Sequence, residues 1–184
     1  MNGGYFIRTY TGKYFDLEHP HYQDIDLRDI AYSLSNICRF TGHAGPFTVA
    51  EHSINVSNMF LDPRTRLAAL LHDAAEAYVS DISSPLKYLL GARPVEDKII
   101  KEIEKAFGVE ILSDRDIKRA DRLMLLTEAR DLMGANVKDG FWADSGEPYE
   151  YFHIDKRRIM SHRVAELLFL RTYQDIQDEF VKGF

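Results

Sequence analysis

An adjacent imidazole and carboxylate, His72-Asp73, interrupt the otherwise apolar segment LAALLHDAAEAYV. Glu76 follows closely, and helical spacing would place its side chain on the same part of the surface as the pair. Ionisable groups are costly to bury in an apolar helix unless they have partners. Because neutral imidazole and carboxylate are good ligands for divalent first-row ions, this cluster predicts a metal site.

Two donors on one helix cannot complete a coordination shell, so further ligands must come from other segments. His52, in TVAEHSINV, and Asp121, in IKRADRLMLL, each lie within an apolar helical pattern. Taken singly, each has a simpler interpretation, as a hydrogen-bonded core histidine or as an aspartate paired with a neighbouring cation. Together with the pair they predict a ligand set of His52, His72, Asp73 and Asp121.

Apolar residues at helical spacing account for the segments that must position these ligands. They predict six helices, at about 26–39, 48–59, 62–78, 95–107, 114–133 and 155–180. Asp26 and Asp62 are the expected caps of two of them, with Pro63 in the first turn. The aromatic and β-branched segment from Tyr5 to Leu17 is split by Thr11-Gly12 and predicts a β-hairpin. The predicted fold class is therefore all-α, with a short N-terminal hairpin.

The length of 184 residues and the hydrophobic content of 45% predict one compact domain over residues 1–184. Within it, residues 1–20 form a hairpin extension. Residues 134–151 form an irregular loop that contains Gly140-Phe141-Trp142 and folds over the pocket or a partner subunit.

Composition excludes several classes of function. A net charge of -6 argues against binding of a nucleic acid polymer, which requires a basic surface. No eighteen-residue apolar segment predicts a membrane span, and the N-terminus lacks the pattern of a secretory signal. The lone Cys38 agrees with a reducing compartment. The expected location is the cytoplasm, or the host cytoplasm if the gene is phage-encoded.

The ordered set His52, His72-Asp73 and Asp121 resembles the motif of the HD-domain phosphohydrolases. The chain is similar to the branch of bacterial 5′-deoxynucleotidases and phage dATP triphosphohydrolases. The similar segments are IDLRDIAYSLSNICRFTGH, FTVAEHSINVS, ALLHDAAEAYVSDISSPLK and KRADRLMLLTEARDLM, which together span residues 25–133. The resemblance implies an HD-domain helical bundle and hydrolysis of the 5′ phosphoester of a deoxynucleotide. It also implies a divalent transition metal ion: manganese, cobalt, zinc, iron or nickel.

The resemblance also implies roles for residues beside the ligands. Glu76 would orient or deprotonate the attacking water, and Asp81 would be a further catalytic residue. Arg39 would contact the substrate phosphate, since a guanidinium is a good bidentate donor. Phe40 stands where the deoxynucleotidases have a tryptophan, and it could stack on a nucleobase.

Lys87, in SSPLK, and Lys118, one turn before Asp121, fit positions at which the triphosphohydrolases hold phosphates. Two reactions therefore remain open: a monophosphate that yields deoxynucleoside and phosphate, or a triphosphate that yields deoxynucleoside and triphosphate. A non-catalytic nucleotide sensor, or a hydrolase of a signalling nucleotide, is the alternative. Relatives form dimers or hexamers, so a homo-oligomer is expected.

Overall fold

The computed structural model describes residues 4–91, 93–138, 142 and 146–182. In these ranges the chain is mostly helical, with one two-stranded sheet near the N-terminus. The eight helices of the described ranges are α1 (Leu27–Asn36), α2 (Val49–Ser57), α3 (Pro63–Leu70), α4 (Glu76–Val79), α5 (Ser84–Leu90), α6 (Arg93–Phe107), α7 (Arg115–Met133) and α8 (His162–Lys182). None of them is long and apolar enough to cross a membrane.

The predicted β-hairpin is confirmed, with β1 (Phe6–Arg8) antiparallel to β2 (Tyr14–Asp16). Ile7 and Phe15 are paired across the two strands, so their side chains lie on the same face of the hairpin. Phe15 is fully buried, and its ring stacks on that of Tyr78 at 3.9 Å between centroids. The hairpin is thereby fixed to the helical core.

Side-chain caps begin several of the helices. Asp26 accepts from the amide of Arg28 and caps α1, as predicted, and Asp62 accepts from that of Thr65 at the start of α3. Thr48 caps α2 in the same way. Each cap satisfies an amide that has no partner within its helix. These ends are therefore determined locally.

The core is formed where α1, α2, α3 and α8 pack against one another. It extends from Phe15 in the hairpin to Phe169 and Ile176 in α8. The prediction of a single domain over residues 1–184 stays a prediction. Residues 139–141 and 143–145 of the predicted 134–151 loop, Phe141 among them, lie outside the described residues.

Three predicted helix bounds are wrong, and α5 was not predicted. The helix expected to reach Tyr78 ends at Leu70, and a turn over residues 71–75 separates α3 from α4. In that turn His72 Nδ1 donates to the carbonyl oxygen of Ala69 at 2.7 Å. The side chain thus occupies a backbone acceptor that a continuing helix would use, which favours the turn.

The other two corrections also follow from specific hydrogen bonds. α1 ends at Asn36 rather than at Arg39, because Ile37 is extended and its carbonyl oxygen accepts from Val49. α8 begins at His162 rather than at residue 155. Asp155 instead caps a short 3-10 turn, and the amide of Met160 donates to a side chain of α2.

Candidate metal centre

The turn between α3 and α4 supplies two of the predicted ligands, His72 and Asp73. The bond from Nδ1 of His72 to Ala69 leaves Nε2 as the unprotonated nitrogen of the neutral ring. Nε2 lies 3.3 Å from Asp73 Oδ2, so the imidazole nitrogen and the carboxylate face the same point. The departure from helical geometry is what brings these neighbours together.

His52 enters the same point from α2. Its side chain is fully buried, and its Nδ1 donates to Oε1 of Glu128 on α7 at 2.5 Å. A carboxylate only accepts, so Nδ1 carries a proton, and in the neutral ring that binds a metal Nε2 is the lone-pair nitrogen. In metal sites, a carboxylate that accepts from the other ring nitrogen commonly fixes the orientation of a ligand histidine. Glu128 has this position relative to His52.

Asp121, from α7, completes the set. Its Oδ1 lies 3.1 Å from His52 Nε2 and 3.7 Å from His72 Nε2. Asp73 Oδ2 lies 3.6 Å from His52 Nε2, and the two Nε2 atoms are 3.3 Å apart. Donors bound at about 2.1 Å to one ion are separated by about 3 to 3.4 Å in tetrahedral or octahedral geometry. The cluster of His52, His72 and Asp121 could therefore hold a metal ion, with Asp73 beside it.

The charges in the cluster fit a cation. Burial lowers the pKa of both histidines, but the carboxylates outweigh it: Asp73 and Asp121 hold the pKa of His72 well above its ordinary value. Burial also opposes ionisation of Asp121, yet the bonds to both histidines hold its pKa well below the ordinary value. The carboxylates thus favour a positive charge between the two Nε2 atoms, and a divalent ion would supply that charge in place of a proton. The donor set therefore fits a divalent ion.

Glu76 and Asp81 line the same cavity as Asp73 and Asp121. Glu76 is buried, and its Oε2 has no hydrogen-bond partner among the described residues. Burial, then the negative charges of Asp73 and Asp81, raise the pKa of Glu76 well above its ordinary value. Burial also raises the pKa of Asp81. Carboxyl groups whose pKa is raised in this way at a cavity are candidates for proton transfer.

Lys87 reaches Glu76 from α5. Its Nζ lies 3.3 Å from Oε1 of Glu76 and 2.7 Å from Oε1 of Glu96 on α6. Burial lowers the pKa of Lys87, but Glu76 and Glu96 outweigh it and raise the pKa. The ammonium is thus engaged by two carboxylates.

Arg39 lies beyond the end of α1 and is almost fully buried. Its Nε donates to Oε2 of Glu128 at 2.9 Å, and Nη1 lies 3.4 Å from Asp73 Oδ2. Burial lowers its pKa, but Glu128 and Asp73 outweigh this and raise the pKa. Phe40 and Thr41 follow in left-handed backbone conformations, at φ of 55° and 54°. Such strain in non-glycine residues persists only where the surroundings impose it.

A cavity of about 270 Å³ joins these groups. Its lining includes Arg39, Phe40, Asp73, Glu76, Asp81, Lys87, Asp121, Arg122, Leu125 and Trp142. Cations, carboxylates and two aromatic rings thus border one space, as in sites for small polar ligands. A wider groove of about 800 Å³ lies between α3 and α6, away from the ligand cluster. The smaller cavity is the candidate site, because Asp73 and Asp121 of the donor cluster line it.

The structure brings together nine of the ten predicted site residues and leaves Lys118 apart. Lys118 Nζ donates to the carbonyl oxygen of Leu112, and Lys118 does not line the cavity described above. Its substrate role stays a prediction that this geometry does not support. Sequence reasoning missed Glu128, and it named Trp142 only as part of a loop over the pocket or a partner subunit. The signal for Glu128 was its spacing, because it follows Asp121 by two helical turns on the same face of α7.

Two relatives extend over most of the chain. The uncharacterized protein YfdR of Escherichia coli is 43% identical over 140 residues, which are 74% of this chain and 76% of YfdR. An uncharacterized protein of Rhodobacter capsulatus is 34% identical over 142 residues, which are 69% of this chain and 72% of that protein. The sequence matches no protein-family model. Matches of this length indicate a shared domain rather than a shared motif.

Proposed function

The chain belongs to the family that contains YfdR, and we propose that it is a metal-dependent phosphohydrolase of the HD-domain type. Its proposed reaction is cleavage of the 5′ phosphoester of a deoxynucleotide. One observation carries the proposal: two histidines with Nε2 atoms 3.3 Å apart, each with an acceptor at Nδ1, meet Asp121 at the cavity. The resemblance to HD-domain enzymes supplies the reaction.

The proposed ligands are His52, His72, Asp73 and Asp121. Imidazole nitrogen and carboxylate oxygen suit manganese, cobalt, zinc, iron or nickel. When bound, such an ion lowers the pKa of a coordinated water and neutralises charge on a phosphate oxygen. The acceptors at Nδ1 of both histidines keep the rings in the binding orientation, and they raise the basicity of Nε2.

Glu76 is the proposed proton acceptor. It lines the cavity, one of its oxygens has no hydrogen-bond partner among the described residues, and the other lies near the Lys87 ammonium. A carboxyl group whose pKa is raised towards the working pH is an efficient general base. Asp81 lies on the same cavity and is the proposed second catalytic carboxylate, by resemblance to the family.

Arg39 is the proposed phosphate ligand. Its Nε is held by Glu128, and the remaining nitrogens of the planar guanidinium are those that could meet a phosphate in the cavity. Phe40 and Trp142 provide rings beside it that could stack on a base. Binding by these groups would orient the phosphoester, which itself lowers the barrier to hydrolysis.

The lining of the cavity favours a monophosphate over a triphosphate. A triphosphate would require further cations beyond the first phosphate. Of the two lysines expected there, Lys87 is already engaged by Glu76 and Glu96, and Lys118 does not line the cavity. Arg122 is the one further cation among the described lining residues, which is fewer than two additional phosphates would require. The proposed substrate is therefore a deoxynucleoside monophosphate. Triphosphates, and a sensor that binds without turnover, are the alternatives.

Product analysis tests this proposal. Metal-stripped protein is incubated with each deoxynucleoside monophosphate and triphosphate, with and without manganese, cobalt or zinc. The expected result is release of inorganic phosphate from a monophosphate, only with metal, and a loss of at least about a hundredfold in Asp73→Ala. Release of triphosphate would select the alternative substrate class.

A second variant distinguishes the enzyme from the sensor. Glu76→Gln keeps the shape of the side chain but cannot accept the proton, so it is expected to bind nucleotide and to lose turnover. A wild-type protein that binds nucleotide without hydrolysis in every metal would identify a sensor. Absence of both binding and hydrolysis across the panel, signalling nucleotides included, would overturn the proposal.

A further inference from the structure

One buried carboxylate joins two groups that the proposed function uses for different purposes. Glu128 has no exposed surface, and it lies on α7 behind the ligand cluster. Its Oε1 accepts from His52 Nδ1 at 2.5 Å, and its Oε2 accepts from Arg39 Nε at 2.9 Å. Each oxygen therefore serves a different functional side chain.

We propose that Glu128 is the positioning residue that fixes both the metal-binding tautomer of His52 and the orientation of Arg39 towards the substrate. The inference rests on the proposed function for the roles of those two residues. It adds that neither side chain is placed independently, because one carboxylate holds both. Glu128 itself touches neither metal nor substrate in this assignment.

The histidine contact acts through the position of a proton. A carboxylate has no proton to donate, so the bond requires the proton of His52 on Nδ1. Nε2 is then a lone pair, directed to the space shared with His72 Nε2 and Asp121 Oδ1. Loss of the acceptor would release the opposite tautomer and allow the ring to rotate. Removing such a partner typically weakens metal binding or activity by about 10–100-fold.

The arginine contact acts through the plane of the guanidinium. Because the group is rigid and planar, a bond at Nε determines the directions of the terminal nitrogens. Nη1 then lies 3.4 Å from Asp73 Oδ2, at the edge of the cavity that Arg39 lines. A guanidinium without the Glu128 bond would sample other directions, and its affinity for a phosphate would fall.

If the pair between Arg39 and Glu128 only stabilised the fold, its loss would affect unfolding, with no selective effect on metal or phosphate binding. Glutamine at 128 is the informative replacement, because it has the same shape but only one accepting oxygen. Its amide NH₂ group would face whichever donor that oxygen does not serve. At least one of the two positioned groups would thus lose its partner.

The test measures binding without catalysis. Co²⁺ is titrated into metal-stripped wild type and Glu128→Gln, followed by the visible absorption of the bound ion, and inorganic phosphate is then titrated into the Co²⁺-loaded proteins by calorimetry. Glu128→Gln is expected to weaken Co²⁺ binding, phosphate binding or both by about 10–100-fold. Glu128→Ala is expected to weaken both. If the alanine variant does not fold, the glutamine variant decides.

Glu51→Gln is the matched control. Glu51 is also a buried carboxylate and is the neighbour of His52 in α2, but its Oε2 accepts from the amide of Met160 at 3.0 Å. This control is expected to bind Co²⁺ and phosphate as the wild type does. Equal losses in both variants would overturn the positioning role in favour of general damage to the core.

The remaining outcomes separate this inference from the proposed function. Wild type that binds Co²⁺ and phosphate, together with a Glu128→Gln protein of unchanged affinity for both, would overturn only the role of Glu128. Wild type that binds no Co²⁺ would overturn the metal site of the proposed function, and the inference with it.

Discussion

The two sides of the candidate cavity are built differently. On the side of α2 and α7, His52 and Glu128 are 0% exposed and Arg39 is 8% exposed, and hydrogen bonds join all three. On the side of α5, Tyr88 and Leu89 are 84% and 78% exposed. The first side is continuous with the buried interior, whereas the second is a short helix at the surface.

The difference between the two sides predicts how strongly each responds to substitution. Positions of buried groups in a connected polar network are costly to change, because each lost bond leaves an unsatisfied group. The α5 side contacts the ligand side through Lys87, whose ammonium pairs with Glu76 and Glu96 and with none of the proposed metal ligands. We therefore expect changes on the ligand side to have larger effects than changes on the α5 side.

The largest effect of the following variants is expected for Arg39→Lys, on the buried side. Lysine keeps the charge but loses the planar donor array and the Nε bond to Glu128. Hydrogen bonds to charged groups contribute about 1.5–3 kcal/mol, so KM for a deoxynucleoside monophosphate is expected to rise by about 10–100-fold. Steady-state kinetics measure this. The control is Arg157→Lys, at an exposed pair with Asp155. Equal KM values in the wild type and in both variants would contradict the expected difference between the two sides of the cavity.

A smaller effect is expected for Lys87→Met, on the α5 side. The Lys87 charge lowers the pKa of Glu76, so its removal raises that pKa further. Glu76 must be ionised to accept a proton, and the acidic limb of the pH–rate profile therefore moves to higher pH. On that limb, turnover at fixed pH is expected to fall about two- to fivefold, with Co²⁺ affinity unchanged.

Lys101→Met, an exposed lysine of α6, controls for loss of a positive charge elsewhere. A limb that stayed in place, or that moved to lower pH, would show that Lys87 does not act through Glu76. A large loss of Co²⁺ affinity would instead mean that the two sides are not separable.

The smallest effect is expected for Glu51→Gln, behind the buried side. Burial raises the pKa of Glu51 to about 7, above its ordinary value of 4.5. The folded protein thus holds this proton more tightly than the unfolded chain does, and protonation of Glu51 stabilises the folded state. This contribution is fully present below about pH 4.5 and is lost as the pH rises through 7.

At pH 8 Glu51→Gln is expected to raise Tm by about 2–4 °C, after allowance for solvent screening and the Met160 bond. At pH 5 the difference should nearly vanish. Calorimetry of metal-stripped protein at both values measures this, with Glu110→Gln, an exposed site, as control. A larger gain at pH 5 than at pH 8 would contradict the sign.

The expected homo-oligomer and cytoplasmic location stay predictions. Sedimentation at micromolar concentration is the measurement for the first, and a monomer alone would contradict it.

Sequence reasoning was most successful where the cause is local. The hairpin follows from an aromatic and β-branched segment that Thr11-Gly12 divides, and the caps at Asp26 and Asp62 follow from side chains that bond to nearby amides. The bounds of α7 agree within a residue for the same reason, since Asp114 caps its start. Residue types and their order also predicted the histidines and the aspartate that form the donor cluster.

The sequence by itself determined the helical class, the hairpin and the set of donors, because periodicity, capping and residue chemistry act over a few residues. Only the tertiary structure decided that the segment at His72 turns, that Lys118 does not line the cavity, and that Glu128 holds both His52 and Arg39. Those contacts join residues that are far apart in the chain. Their geometry depends on how the helices pack, and no local pattern specifies it.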